Sequence, residues 1–236
     1  MNSLEPRTLS PVQTAFLLLG LLVLADLLFL LGDLYFNVVL PGTRPDLSVS
    51  EDQTHPEFFQ YTKFVWVIVL LVVLARRQRT WNYLGWLPLF TYLLLDDSLQ
   101  IHESGGEMIA LRYGIEPALG LRAVDLGELI VSAIAGLGAL VFIAIGLMRA
   151  RPEILKFFTD LALLGAVLVL FGVVVDMIHV LFGGLSAQIL GLIEDAGEMI
   201  AVSAITAYVF GVALGAAPRG LFWRRRGEGQ PAGSPR

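Results

Sequence analysis

The chain has 236 residues, 56% of them hydrophobic, with a mean hydropathy of +0.73 and a formal net charge of −5. Soluble domains carry about 45–50% apolar residues. Here the excess comes in blocks near the ~20 residues that span a bilayer as helix, without the alternation of a membrane β-barrel. The fold class expected is therefore an all-α, multi-pass membrane protein. There is no cysteine, which excludes disulfides, thiolate metal sites, iron–sulfur clusters and thiol catalysis, and no nucleic-acid partner is expected.

In chain order, the blocks predict six spans: 12–34, 57–75, 81–102, 123–148, 155–182 and 187–216. The first is opened by Pro11, since proline suits a first helical turn. Its apolar run from Val12 to Leu31 is too long for a signal peptide and lacks a small-residue cleavage site. The loop 40–57 is the longest connection outside the cytoplasm and a candidate lid. Gly183-Gly184 predicts a tight turn, so the last two spans form an antiparallel hairpin. Residues 1–218 make one transmembrane domain, and the polar tail 219–236 is expected to be a disordered cytoplasmic end.

Charge sets the orientation. Arg7, Arg76, Arg77, Arg79, Arg149, Arg151, Lys156, Arg219, Arg224, Arg225, Arg226 and Arg236 fall on one side, which is 12 of the 16 basic residues. Arg44, Lys63, Arg112 and Arg122 fall on the other. Basic loops stay in the cytoplasm, so both termini are cytoplasmic and the protein belongs in the cell (inner) membrane. Of the 21 acidic residues, only Glu5, Glu153, Asp160 and Glu228 lie on the cytoplasmic side.

The other 17 fall in the outer half of the bilayer or outside it, and those on the spans mark a common depth. Asp26 and Asp33 lie on the first span, Asp96, Asp97, His102 and Glu103 end the third, and Asp125 and Glu128 open the fourth. Asp176 and His179 close the fifth, and Glu194, Asp195 and Glu198 open the sixth. Charges there cost a few kcal/mol each, and crowded carboxylates cannot all stay ionised without a cation among them. Three stretches repeat one another: ESGGEMIA from Glu103, DLGELIV from Asp125 and EDAGEMIA from Glu194. An acid and a histidine lead out of the membrane and D-x-G-E leads back, twice over. That order predicts two repeated hairpins, spans three to six, forming a pseudo-two-fold four-helix bundle. Within it Asp176/His179, Asp125/Glu128 and Asp195/Glu198 are spaced i, i+3 on one helix face.

Carboxylates from two helices and acid-x-x-His from two others resemble the bundle-core di-metal pattern of ferritin-like carboxylate proteins. The resemblance covers spans three to six and is one of ligand pattern. It departs in using Asp176 where those proteins carry Glu, and in spacing Asp97 and His102 at i, i+5. The metal ligands expected are Asp97, His102, Glu103, Asp125, Glu128, Asp176, His179, Glu194, Asp195 and Glu198, with Glu103 and Glu128 as catalytic proton carriers. Imidazole with carboxylate suits iron, manganese or zinc, as an ion or a pair.

Each reading has a plainer counterpart. Acids in a first helical turn are favoured by the helix dipole, which would account for Asp125, Glu128, Asp195 and Glu198. It does not account for Glu103 or Asp176 at helix ends, where the dipole disfavours acids. The glycines of the three repeated stretches read as close-packing contacts between helices. Asp96 and Asp97 point apart, so one of them is expected to face the site.

The functional expectation is a metal-dependent membrane enzyme, a hydrolase or a di-metal oxidoreductase, acting on a lipid or lipid-soluble substrate from the outer side. A proton or divalent-cation transporter and a non-catalytic subunit of a membrane complex are the alternatives.

Overall fold

The computed structural model describes residues 9–40, 43–51 and 53–218, so the expected tail 219–236 lies outside the described residues. Among the described residues regular structure is helical, apart from a single bridge between Ala118 and Leu121. Helix α1 (Pro11–Val38) starts in a capping box, where Ser10 Oγ accepts from the Gln13 amide at 3.2 Å and the Gln13 side chain accepts from the Ser10 amide. Helix α2 (His55–Arg77) carries Pro56 in its first turn and Arg76 and Arg77 in its last, where cations suit the dipole.

The stretch expected as a third span, 81–102, is not one helix. Residues Trp81–Trp86 form a 3₁₀ turn that runs into α3 (Leu87–Leu99). Gln100 then takes a left-handed conformation, φ 50° and ψ 47°, and α4 (Ile101–Tyr113) begins. The break falls at Gln100; the Gly105-Gly106 pair lies inside α4. Gly114, at φ 61°, closes that helix.

Helix α5 (Ala123–Leu147) returns, and a short turn leads to α6 (Pro152–Val169). A π-helical turn, Leu170–Val175, carries α6 into α7 (Asp176–Val180). Gly184 turns the chain at φ 62° into α8 (Leu185–Ala213). The expected hairpin is present, since α6, the π turn and α7 all pack on α8.

Five of these helical stretches are long and apolar enough to cross a membrane: Pro11–Phe36, His55–Arg77, Ala123–Leu147, Pro152–Val180 and Leu185–Ala213. Their outward faces are Leu, Ile, Val and Phe, as on Phe16, Leu28, Leu137, Leu140 and Phe142. That is the surface of a membrane-embedded protein, because a water-exposed face of this size would aggregate. Helix α8 is the central element, with α1, α2 and α6 against it. The core beneath is Leu71, Trp86, Phe90, Phe157, Phe158, Leu161, Val202, Ile205 and Val209. It closes the half of the molecule that holds the arginine-bearing ends of the helices.

Candidate metal centre

A cavity of about 590 Å³ opens between the hairpin α3–α4–α5 and the hairpin α6–α7–α8, with α2 along its side. Each wall follows the same gradient. On α2 the lining runs from Glu57 through Gln60 to Phe64, and on α3 from Asp97 and Asp96 through Leu93 to Phe90. On α5 it runs from Glu128 through Ser132 to Gly136, and on α6 and α7 from Asp176 through Gly172 to Leu168 and Gly165. Helix α8 supplies Glu194, Asp195, Glu198 and Met199. The acids form one end and the apolar residues the other, on antiparallel elements, so the common depth read from the sequence corresponds to one chamber. Val49, Ser50 and Glu51 reach the acidic end. Their segment is tied to α1, where Asp33 Oδ1 accepts the Val49 amide at 3.3 Å.

Asp176, His179 and Glu194 come together at the acidic end. One donor atom from each lies within 4.8 Å of the others, and His179 Nδ1 is 3.1 Å from Glu194 Oε2. Metal bonds from imidazole and carboxylate run about 2.0–2.2 Å, so side-chain shifts of about an ångström close these donors on one transition metal. The chemistry of the donor set fits such an ion: one imidazole nitrogen and two carboxylate oxygens, borderline in softness.

The second histidine is held differently. Asp96 Oδ1 accepts the backbone N–H of His102 at 2.8 Å, and Asp96 Oδ2 is 2.9 Å from His102 Nδ1. The left-handed Gln100 makes this possible by turning the start of α4 back over Asp96, which satisfies an N-terminal amide as a capping residue would. With Nδ1 engaged, Nε2 is the nitrogen left to bind, the tautomer that a carboxylate partner enforces.

Asp97, His102, Glu103, Glu128, Asp176, Glu194, Asp195 and Glu198 all line the cavity, and His179 joins it through Glu194. Asp125 does not line it. It is 1% exposed and accepts from the Arg122 amide at 2.8 Å and from the Arg122 guanidinium at 2.5 and 2.9 Å, at the head of α5. For Asp125 the arrangement is the first-turn acid of the plainer reading. Asp96, not the Asp97 expected with it, is the partner of His102, and both acids line the cavity where one was expected to face it. Gln60, Tyr92 and Ser132, which also line the cavity, were not singled out. Its i, i+3 spacing from Glu57, on the helix face that also carries Phe64, was the available sign for Gln60.

Two glycine contacts set the walls. A Cβ on Gly127 would overlap the Gly106 backbone and one on Gly106 would lie 2.9 Å from Glu128 Cα, so α4 and α5 touch through bare backbone beside Glu128. A Cβ on Gly172 would overlap Glu198 Oε1, and one on Gly197 would overlap the Phe171 ring. The π turn thus offers Gly172 as the socket for Glu198, and π turns are frequent at functional sites. The packing role expected of Gly106, Gly127 and Gly197 is what the structure holds.

A family described as a domain of unknown function (DUF8692) matches residues 14–212. The chain belongs to that family, and the match takes in every helix that lines the cavity. No curated protein and no solved structure matches it.

Proposed function

We propose that this member of the family is a metal-dependent integral membrane enzyme whose substrate is a lipid or lipid-soluble molecule. The observation that carries the reading is the convergence of Asp176, His179 and Glu194 at the polar end of a cavity whose other end is apolar. Asp176, His179 and Glu194 hold the first metal in this reading. His102, with Asp97, Glu103, Glu128, Asp195 and Glu198 around it, supplies ligands for a second ion or extends the first set. When bound, zinc would polarise a substrate group or activate water, while an iron or manganese pair would supply oxygen chemistry. Glu103 and Glu128 carry protons at the cavity wall, and Asp96 fixes the ring of His102.

The proposal includes six spans. The 3₁₀ turn at 81–86 followed by α3 rises about 31 Å along its axis, close to the ~30 Å of a bilayer core. It also includes the two-hairpin repeat. In each hairpin the outgoing helix breaks just before its histidine, at Gln100 and at 170–175. The histidine partners differ, Asp96 from the same arm and Glu194 from the returning helix. In this reading the termini lie in the cytoplasm of an inner membrane and the acidic end faces outward, supported by the arginine-bearing turns. Phe64, Phe90 and Leu168 floor the cavity above the aromatic core. A cation path would need polar groups along its length, which favours catalysis over transport.

Elemental analysis of detergent-purified protein tests this. Wild type is expected to hold one or two equivalents of iron, manganese or zinc, and His179→Ala and Glu194→Ala to lose at least one. Wild type without metal after anaerobic purification and metal add-back overturns the proposal. A proteoliposome assay showing proton or divalent-cation flux would then put transport in its place.

A further inference from the structure

The cavity has a second polar feature below the acids. Gln60 is 7% exposed and lines the chamber one turn deeper than Glu57, and its Oε1 has no hydrogen-bond partner. Asp195 Oδ2 on α8, the helix packed against α2, is likewise buried without a partner. Both atoms are acceptors, and a buried acceptor left unmade is costly. A ligand that satisfies them brings N–H or O–H donors, and Tyr92 Oη, which lines the same cavity and is likewise buried without a partner, can accept from such a head or donate to it. Around and beneath them lie Phe64, Phe90, Leu93 and Leu168, which offer no polar partner.

The chamber is also bordered by a loosely packed seam. Helices α5 and α6 are joined by a four-residue turn yet barely touch. Gly136 and Gly165 line the cavity on these two helices, and a Cβ at either would meet nothing within 4 Å. Leu129 and Val169 both line the cavity beside this seam, at 37% and 55% exposure.

We propose that the cavity binds a single-chain amphiphile whose head donates hydrogen bonds, a long-chain alcohol or amine. Its head lies between Gln60 and Asp195, beside the metal of the reading above on which this class of substrate rests. Its chain lies over Phe64 and Phe90 and enters through the seam between α5 and α6. A carboxylate head, once ionised, brings no N–H or O–H to Gln60 Oε1 or Asp195 Oδ2 and is disfavoured for that reason.

The test uses full-length protein in nanodiscs and three photoreactive probes, a C16 alcohol, a C16 amine and a C16 carboxylic acid, each with a mid-chain diazirine. Labelled peptides are mapped by mass spectrometry and metal content is measured on the same samples. The alcohol and amine are expected to label the stretches 86–93 and 165–177, and excess unlabelled alcohol to displace them. Gln60→Leu, close to the same size, is expected to weaken that saturable labelling about tenfold while keeping its metal. Gly165→Leu should block labelling while leaving the acidic end intact. Equal labelling by the carboxylic acid overturns the proposal. So does unchanged labelling in Gln60→Leu, or label spread over the lipid faces of α1 and α5 alone. Wild type that labels as expected but holds no metal would remove the enzyme reading and leave the binding site standing.

Discussion

Lys63 places its ammonium 2.9 Å from Asp26 Oδ1, 3.0 Å from the Met199 carbonyl and 3.2 Å from Ser203 Oγ, with no exposed surface. Ser203 in turn donates to Asp26 Oδ2 at 2.5 Å. The network staples α1 and α2 to α8 one turn below Glu198. Removing one partner strands a buried charge, so Lys63→Met is expected to cost about 3–5 kcal/mol. Lys63→Met with Asp26→Leu should recover most of it, since an apolar pair replaces the ion pair. Unfolding in mixed micelles measures both, and a double variant no better than the single one would refute the account. Asp125→Ala tests the other residue-scale assignment. It should lose about 1–2 kcal/mol, the worth of a cap and its hydrogen bonds, and keep the full metal content. Loss of metal in Asp125→Ala would return it to the ligand set.

At the scale of elements, the glycine contacts separate positioning from packing. A methyl on Gly172 meets the movable end of Glu198. Gly172→Ala is therefore expected to leave the fold intact and to turn the carboxylate away, weakening metal binding about tenfold if Glu198 is a ligand. Gly138→Ala, where a Cβ meets nothing within 4 Å, is the control and should bind as wild type. Gly127→Ala meets backbone that cannot yield. It should force α4 from α5 and destabilise by about 1–3 kcal/mol, as overpacking does, seen as a lowered Tm. The repeated G-E stretches announced these contacts because lipid gives helices no hydrophobic reason to associate, which leaves close backbone approach as the main one. The π turn was not announced. A run such as LFGVVV is compatible with regular helix, and only the fit of Phe171 against Gly197 and of Gly172 against Glu198 selects the wider turn.

For the whole molecule, orientation can be read directly because the chain has no cysteine of its own. Thr43→Cys sits on the exposed segment at the acidic end and Glu153→Cys at the arginine end. An impermeant maleimide applied to intact spheroplasts should label the first and spare the second until the membrane is opened. The reverse pattern would turn the cavity to the cytoplasm and reject the proposed outward site. The acidic end also draws its groups from α3, α4, α5, α7 and α8 at once. No single helix holds the site, and the single-residue variants above act on a chamber whose walls are otherwise kept.

The sequence by itself determined the helical class, the long apolar stretches and the level at which the acids stand. Those follow from hydrophobic block length and from the cost of charge in hydrocarbon, which are properties of composition along the chain. It also held Asp176, His179 and Glu194 among its ten candidate ligands, because helical spacing and matched depth carry such residues to the same end of the closed hairpin. The tertiary structure alone decided how each acid is used. Asp96 rather than Asp97 meets His102 because the chain turns left-handed at Gln100, and Asp125 turns to Arg122. Asp26 finds Lys63 across 37 residues, and Gln60 keeps an acceptor buried and unmet. Each depends on which side chain a neighbouring helix brings within about 3 Å, a distance that periodicity and depth do not specify.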